Sequence, residues 1–503
     1  MEGHAWTEDS PEAAIPAVPA EGPGRIGRNL AALSGGQLVT WTMTLAWTLV
    51  VPRLLGPAEV GLIVSAWAVT GILAIVLGFG TKNYLVRTLV AEPGEASQLV
   101  GTAMVLRLIL IPLFVAAIVL YDQFANYGRD GTLVLQLAAV ATILTLLAEP
   151  LQAAFQAIER MEYLAYSDVI NKSVQGLLGI VLALLGFGAV GFAGCWMVMA
   201  GVVVVLDLIW LRRYVRIELR TTLRRIAHMA RESVAYWTFG LFFMVYLWID
   251  ATMLSLMAPA EVVGWYGVPT KLFQTLMFVP VLLSTAWLPR LVSAFEQAPH
   301  LLHRAARMPV GLALVLGLPV GAAVVVAARP LIHFFYGPAY DEAVPVLVIL
   351  GLCVPPMYLN IMLNQVLIAQ KRQFAWTWVM AGATVVNPVV NLVLIPLTQQ
   401  RFGNGAIGAA ISLLVTELAI VVVGFWIAGR GLIDRDGARR CGVAAGASAA
   451  LVAVAFATRE IGTVPSLAAG ALAFVVYGLC FGLATRAEIA FVRARLGRVL
   501  RRT

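Results

Sequence analysis

The amino-acid sequence predicts an all-α polytopic membrane protein of about 14 transmembrane helices: two six-helix repeats in parallel orientation, then two extra C-terminal helices. Three observations lead there. Of 503 residues, 60% are hydrophobic and only 12% charged, where soluble domains run at roughly half and roughly a quarter. Apolar runs of roughly 17–25 residues recur along nearly the whole chain, each long enough to cross the hydrocarbon core as a helix. Short strings also recur in the second half at the places they hold in the first. The shorter alternating segments of a membrane β-barrel are absent.

The spans fall at 29–51, 59–80, 100–121, 131–157, 163–185, 188–211, 233–257, 265–288, 308–328, 343–367, 374–398, 406–428, 441–457 and 464–485. "GFGAVG" at 186–191 splits the fifth span from the sixth. Residues 1–28 are rich in Pro, Ala and Glu without an apolar segment, so they are expected to form a disordered cytoplasmic tail. The remaining expected divisions are an N-terminal lobe at 29–211, a basic interfacial linker helix at 212–232 and a C-terminal lobe at 233–428. Helices 13 and 14 follow within 429–485, and a basic cytoplasmic tail at 486–503 ends the chain.

Lys and Arg set the orientation, because cytoplasmic loops carry their excess. Of the 35 basic residues, Arg53, Arg129, Arg329, Arg401 and Arg459 lie in one set of loops, and Arg107, Lys172 and Lys271 lie inside spans. The rest share the opposite side, which puts both termini in the cytoplasm. The same bias explains a net charge of +8 without nucleic acid. In "RRYVRIELRTTLRRIAHMARE" (212–232), Leu219, Leu223 and Ile226 recur at helical spacing among arginines, as in a helix lying on an anionic bilayer surface. The four cysteines sit in apolar runs without CxxC spacing, so they read as packing residues; neither they nor the five histidines suggest a metal site or a cofactor.

"GPAEVG" (56–61) returns as "PAEVVG" (259–264), "AIERMEYLAYS" (157–167) as "IAQKRQFAWTW" (368–378), and "GAVGFA" (188–193) as "GAIGAA" (405–410). Each pair occupies the same place in a six-span unit. An even number of spans gives both copies one orientation, a transporter architecture with its substrate site between repeats.

Beyond this, "RNLAALSGGQLVTWTMTLAWTLVVPRLLGPAEVGL" (28–62) and "GFGTKNYLVR" (78–87) resemble the opening of the bacterial polysaccharide (oligosaccharide) flippases. "FFMVYLWIDATMLSLMAPAEVVGWYGVPTKL" (242–272), "FFYGPAYDEAVPVLVILG" (334–351) and "GNGAIGAAISLLVTE" (403–417) resemble their second half. That superfamily also holds the multidrug and toxin extrusion antiporters and the lipid II flippases. The resemblance implies two lobes around a central cavity in the bacterial inner membrane. An undecaprenyl-diphosphate-linked oligosaccharide would be moved to the outer leaflet by alternating access, with a polymerase and glycosyltransferases of the same pathway as partners. Lipid II transport and multidrug antiport are the alternatives it leaves open. It also suggests a lipid-tail groove at spans 13 and 14.

Ionisable groups inside spans are functional candidates, since hydrocarbon penalises charge. At a rise of 1.5 Å per residue, Arg107, Glu149 and Lys172 fall at one depth on three consecutive spans, roughly 10–13 Å above the cytoplasmic boundary. Two readings stand: a structural ion-pair cluster, or a substrate site with surplus positive charge for a diphosphate. Asp168 and Lys172, at i and i+4, also suit a local pair. Asp250 and Lys271 share a depth near the outer boundary and are expected to pair, either for structure or at the substrate. Asp207 is expected to reach the cytoplasmic surface from the end of its span. Glu417 lies near mid-membrane without a cation at its level, with Asn387 and Asn391 as its expected polar neighbours. It is either a neutral hydrogen-bonded group or a coupling site for H⁺ or Na⁺. Outer loops are short and poor in acids, which argues against a membrane enzyme.

Overall fold

The computed structural model describes residues 23–125, 127–429 and 431–483. The predicted tail at 486–503, and the first tail up to residue 22, lie outside the described residues; residues 23–28, expected in that first tail, are instead the start of the first helix. Among those described there are helices and no strands. In order they are α1 (Pro23–Gly78), α2 (Thr81–Ala91), α3 (Ala96–Ala125), α4 (Gly128–Ala157), α5 (Met161–Leu184), α6 (Gly188–Leu211), α7 (Leu223–Met257) and α8 (Ala260–Leu276). They continue as α9 (Phe278–Gln297), α10 (Pro299–Tyr336), α11 (Val344–Ala369), α12 (Gln373–Phe402), α13 (Gly405–Ala428), α14 (Arg435–Ala457) and α15 (Thr463–Phe481).

Among the described residues, 13 helical stretches are long and apolar enough to cross a membrane. The first, Thr42–Ala91, runs through a break in α1 at Gly56 (φ 79°, ψ 170°), which separates the first two predicted spans. Such a φ is open to glycine and costly for other residues. The eighth predicted span, 265–288, is divided between α8 and α9 at Met277. Pro280 has no N–H to give the Leu276 carbonyl four residues back. The Tyr358 hydroxyl donates to that carbonyl instead, at 2.8 Å. α2 is a short amphipathic helix that hydropathy did not single out.

The predicted linker helix over 212–232 is corrected. Arg212–Thr222 contains no helix, and α7 begins at Leu223 and runs unbroken to Met257. The start of α3 supplies the linker's hydrogen-bond partners. Glu218 N–H donates to Ser97 O at 3.3 Å, the Ser97 hydroxyl to Arg216 O, and the Thr102 and Thr221 hydroxyls meet at 2.9 Å. A backbone paired from outside has no need of a helix.

Two compact units emerge. Among the described residues, the first comprises those up to 55 together with 62–248, and the second 56–61 with those from 249 onward. In the first, Ile63, Phe114, Leu135 and Phe192 of α1, α3, α4 and α6 form one buried core; Leu85, Phe155, Leu211 and Met229 form another at the α2 end. In the second, α10 packs on α11, α12 on α13, and α14 on both α10 and α15.

The short segment 56–61 belongs to the second unit because it packs on the start of α8. A Cβ on Gly61 would lie 1.7 Å from the Ala260 carbonyl oxygen, and one on Gly264 2.1 Å from the Pro57 carbonyl oxygen. Each copy of the repeated Pro-Ala-Glu-Val string thus places its glycine on a carbonyl that opens the other copy. Only hydrogen at both glycines permits backbones this close.

Candidate functional site

In the first unit, Arg107 of α3 is buried, 1% exposed. Its Nη2 donates to Glu149 Oε2 of α4 at 2.9 Å and to Thr81 Oγ1, the first residue of α2, at 3.0 Å. The expected Arg107–Glu149 pair is therefore formed. Nε and Nη1 of Arg107 have no hydrogen-bond partner among the described residues. Three N–H bonds of a guanidinium are left to whatever enters.

Lys172 does not join that pair. It bonds Asp168 at 3.0 Å, the local i,i+4 alternative, with both side chains about two-fifths exposed. Asp207 is not at a surface either. It is 0% exposed, with the Ser167 hydroxyl 2.5 Å from Oδ1 and Gln152 Nε2 3.2 Å from Oδ2. Donors on α4 and α5 replace the water it was expected to reach.

The second unit exchanges the expected partners. Asp250 of α7 takes Asn391 Nδ2 at 2.6 Å and the Tyr266 hydroxyl at 3.1 Å rather than Lys271. Asn391 Nδ2 also donates to Asn387 Oδ1 at 2.8 Å, one turn back on α12. Glu417 of α13 is 1% exposed and accepts from Asn360 Nδ2 of α11 at 2.6 Å, not from Asn387 or Asn391. Asn360 Oδ1, Asn391 Oδ1 and Asn387 Nδ2 are buried without partners among the described residues. The unit therefore holds two carboxylates with amide oxygens to spare, a lining that suits a small cation or a proton. No group of three or more His, Cys, Asp or Glu among the described residues is arranged to hold a metal ion.

Thr81, Tyr266 and Asn360 were missed by sequence reasoning, which followed formal charge. The repeat carried a signal for one of them: the register that aligns 157–167 with 368–378 sets Asn360 opposite Glu149.

Among the described residues the chain is all-helical and many-spanned, with ionisable groups buried between its helices. A family model described as polysaccharide biosynthesis protein matches residues 26–295, and the MatE model matches residues 238–393. The chain belongs to the polysaccharide biosynthesis protein family. A similar protein, 23% identical over 373 residues, is the probable low-salt glycan biosynthesis flippase Agl15 of Haloferax volcanii; the match covers 73% of this chain and 76% of that one. Among solved structures, the fold is similar to the lipid II flippase MurJ in an inward closed conformation: TM-score 0.71, 11% identity, 89% of this chain and 98% of that one. It is also similar to an inward-facing multidrug resistance MATE family transporter of the MOP superfamily: TM-score 0.64, 18% identity, 83% of this chain and 98% of that one. The protein is a flippase or transporter, and not an enzyme.

Proposed function

We propose that the protein flips an undecaprenyl-diphosphate-linked oligosaccharide from the cytoplasmic to the outer leaflet by alternating access, for surface polysaccharide biosynthesis. Arg107 carries this reading. A buried guanidinium with Nε and Nη1 unpaired is costly unless an anion completes it, and a diphosphate accepts at several oxygens. A glycan and two phosphates do not cross hydrocarbon alone, whereas the polyprenyl tail stays in the bilayer. Lipid II carries the same diphosphate and is the nearest alternative cargo.

The protein sits in the inner membrane with both termini cytoplasmic, as the basic loops favour. A cysteine at Arg225 is then labelled only from inside intact cells and one at Arg401 from outside; the reverse pattern overturns the orientation. Coupling to H⁺ or Na⁺ falls to the second unit, at Glu417 with Asn360 and at Asp250 with Asn387 and Asn391. Multidrug antiport is the second reading, favoured by the MatE match over 238–393 and by these two carboxylates.

The test uses proteoliposomes loaded with a fluorescent polyprenyl-diphosphate oligosaccharide, with an impermeant glycosidase outside. Protein-dependent cleavage beyond the half initially exposed supports the flippase. Export of a cationic dye without glycan translocation overturns it in favour of the antiporter.

A further inference from the structure

Phe79 (φ 43°) and Gly80 (φ 66°) are both left-handed, and α2 starts at Thr81 immediately after them. A non-glycine residue held there is strained, and such strain gathers at functional positions. Gly80 caps α2 without a side chain, and no acidic residue lies in the first turn. The opening N–H groups of an α-helix have no acceptor within it, and they carry roughly half a positive charge between them.

Around this helix start the structure gathers polar groups without partners. Arg107 reaches Thr81 Oγ1, with Nε and Nη1 unpaired. Ser233 Oγ is buried and unpaired on the stretch of α7 that lies against Gly80. A Cβ at Gly80 would come within 2.9 Å of Ser233 O and 2.6 Å of Trp237 N. Lys82, half-buried, is the second residue of α2. Glu149 offsets the charge of Arg107, so Lys82 and the helix start supply the surplus.

We propose that the N-terminal turn of α2, with Arg107, Thr81, Ser233 and Lys82, binds the phosphate groups of a polyprenyl diphosphate. The proposal rests on the flippase reading and deepens it by giving the headgroup an address. Helix starts hold phosphate through converging N–H groups and the aligned peptide dipoles. Thr81 is a positioning residue: its Oγ1 accepts from Arg107 and donates to Gly78 O at 2.8 Å, tying the guanidinium to the turn.

Binding of polyprenyl diphosphate, polyprenyl monophosphate and inorganic pyrophosphate to the full-length protein in nanodiscs tests it. The wild type is expected to prefer the lipid diphosphate to the monophosphate. Lys82→Gln and Thr81→Val should each weaken diphosphate binding roughly tenfold, the scale of one hydrogen bond to a charged group, and narrow that preference. Thr81→Ser should restore it. Unchanged affinity in Lys82→Gln, whose side chain is not needed for the core, overturns the site. So does binding of pyrophosphate without binding of the lipid. Normal diphosphate binding by the wild type without glycan translocation leaves the site standing and overturns the flippase reading instead.

Discussion

In the first unit a carboxylate is held by a cation: Glu149 meets the guanidinium of Arg107. In the second unit, Asp250 and Glu417 are held by asparagine amides and a phenol. The repeat sets Glu149 opposite Asn360, so one ancestral position carries an acid in one copy and a neutral amide in the other. At these two places the spare groups differ: the Arg107 guanidinium keeps N–H groups to spare, which suit an anion, while Asn360 and Asn391 keep amide oxygens to spare, which suit a cation.

Breaking the ion pair should have the largest effect. Glu149→Leu strands a buried guanidinium and is expected to cost about 3 kcal/mol, the lower end for a buried pair, because Glu149 is 26% exposed. Denaturant unfolding in detergent reads this. Arg107→Met with Glu149→Leu should regain most of the stability but no transport. If the double variant transports, the pair is structural only.

Asn360→Leu is next. It removes a 2.6 Å donor from a buried carboxylate, and a loss of about 2 kcal/mol is expected. Equal stability to the wild type would mean that Glu417 is held by other groups.

Glu417→Gln keeps shape and fixes the neutral form, so stability should fall by less than about 1 kcal/mol. Transport should continue but lose its dependence on an imposed proton or sodium gradient, because an ion drives a cycle only by differential affinity for its states. Gradient dependence like the wild type's removes Glu417 from coupling.

The smallest effect belongs to Lys172→Ala. An exposed i,i+4 pair contributes about 0.5 kcal/mol or less, so both stability and transport should stay near wild type. A large loss of transport would return Lys172 to the substrate site.

The pattern of successes in the sequence reading follows from what depth arithmetic contains. Counting rise per residue put Arg107 and Glu149 at one level, and they meet. It put Lys172 there too, but height says nothing about which way a side chain faces around its helix. Asp250 and Lys271 failed for the same reason. Glu417 was given neighbours on the preceding helix, whereas α13 also packs on α11, from which Asn360 arrives. Spans were legible because twenty apolar residues in a row have one outcome in a bilayer. The break at Gly56 fell between two predicted spans; the α8–α9 break at Met277 and the helix-free linker were not legible, since each takes a hydrogen-bond partner from elsewhere in the chain.

The doubled Pro-Ala-Glu-Val string has a history written into its contact. Gly61 lies on Ala260, and Gly264 lies on Pro57. Duplicated segments ordinarily drift apart, because each answers to its own surroundings. Here each copy is the other's surroundings. A side chain gained at either glycine would meet a carbonyl of its twin, so neither half was free to change alone.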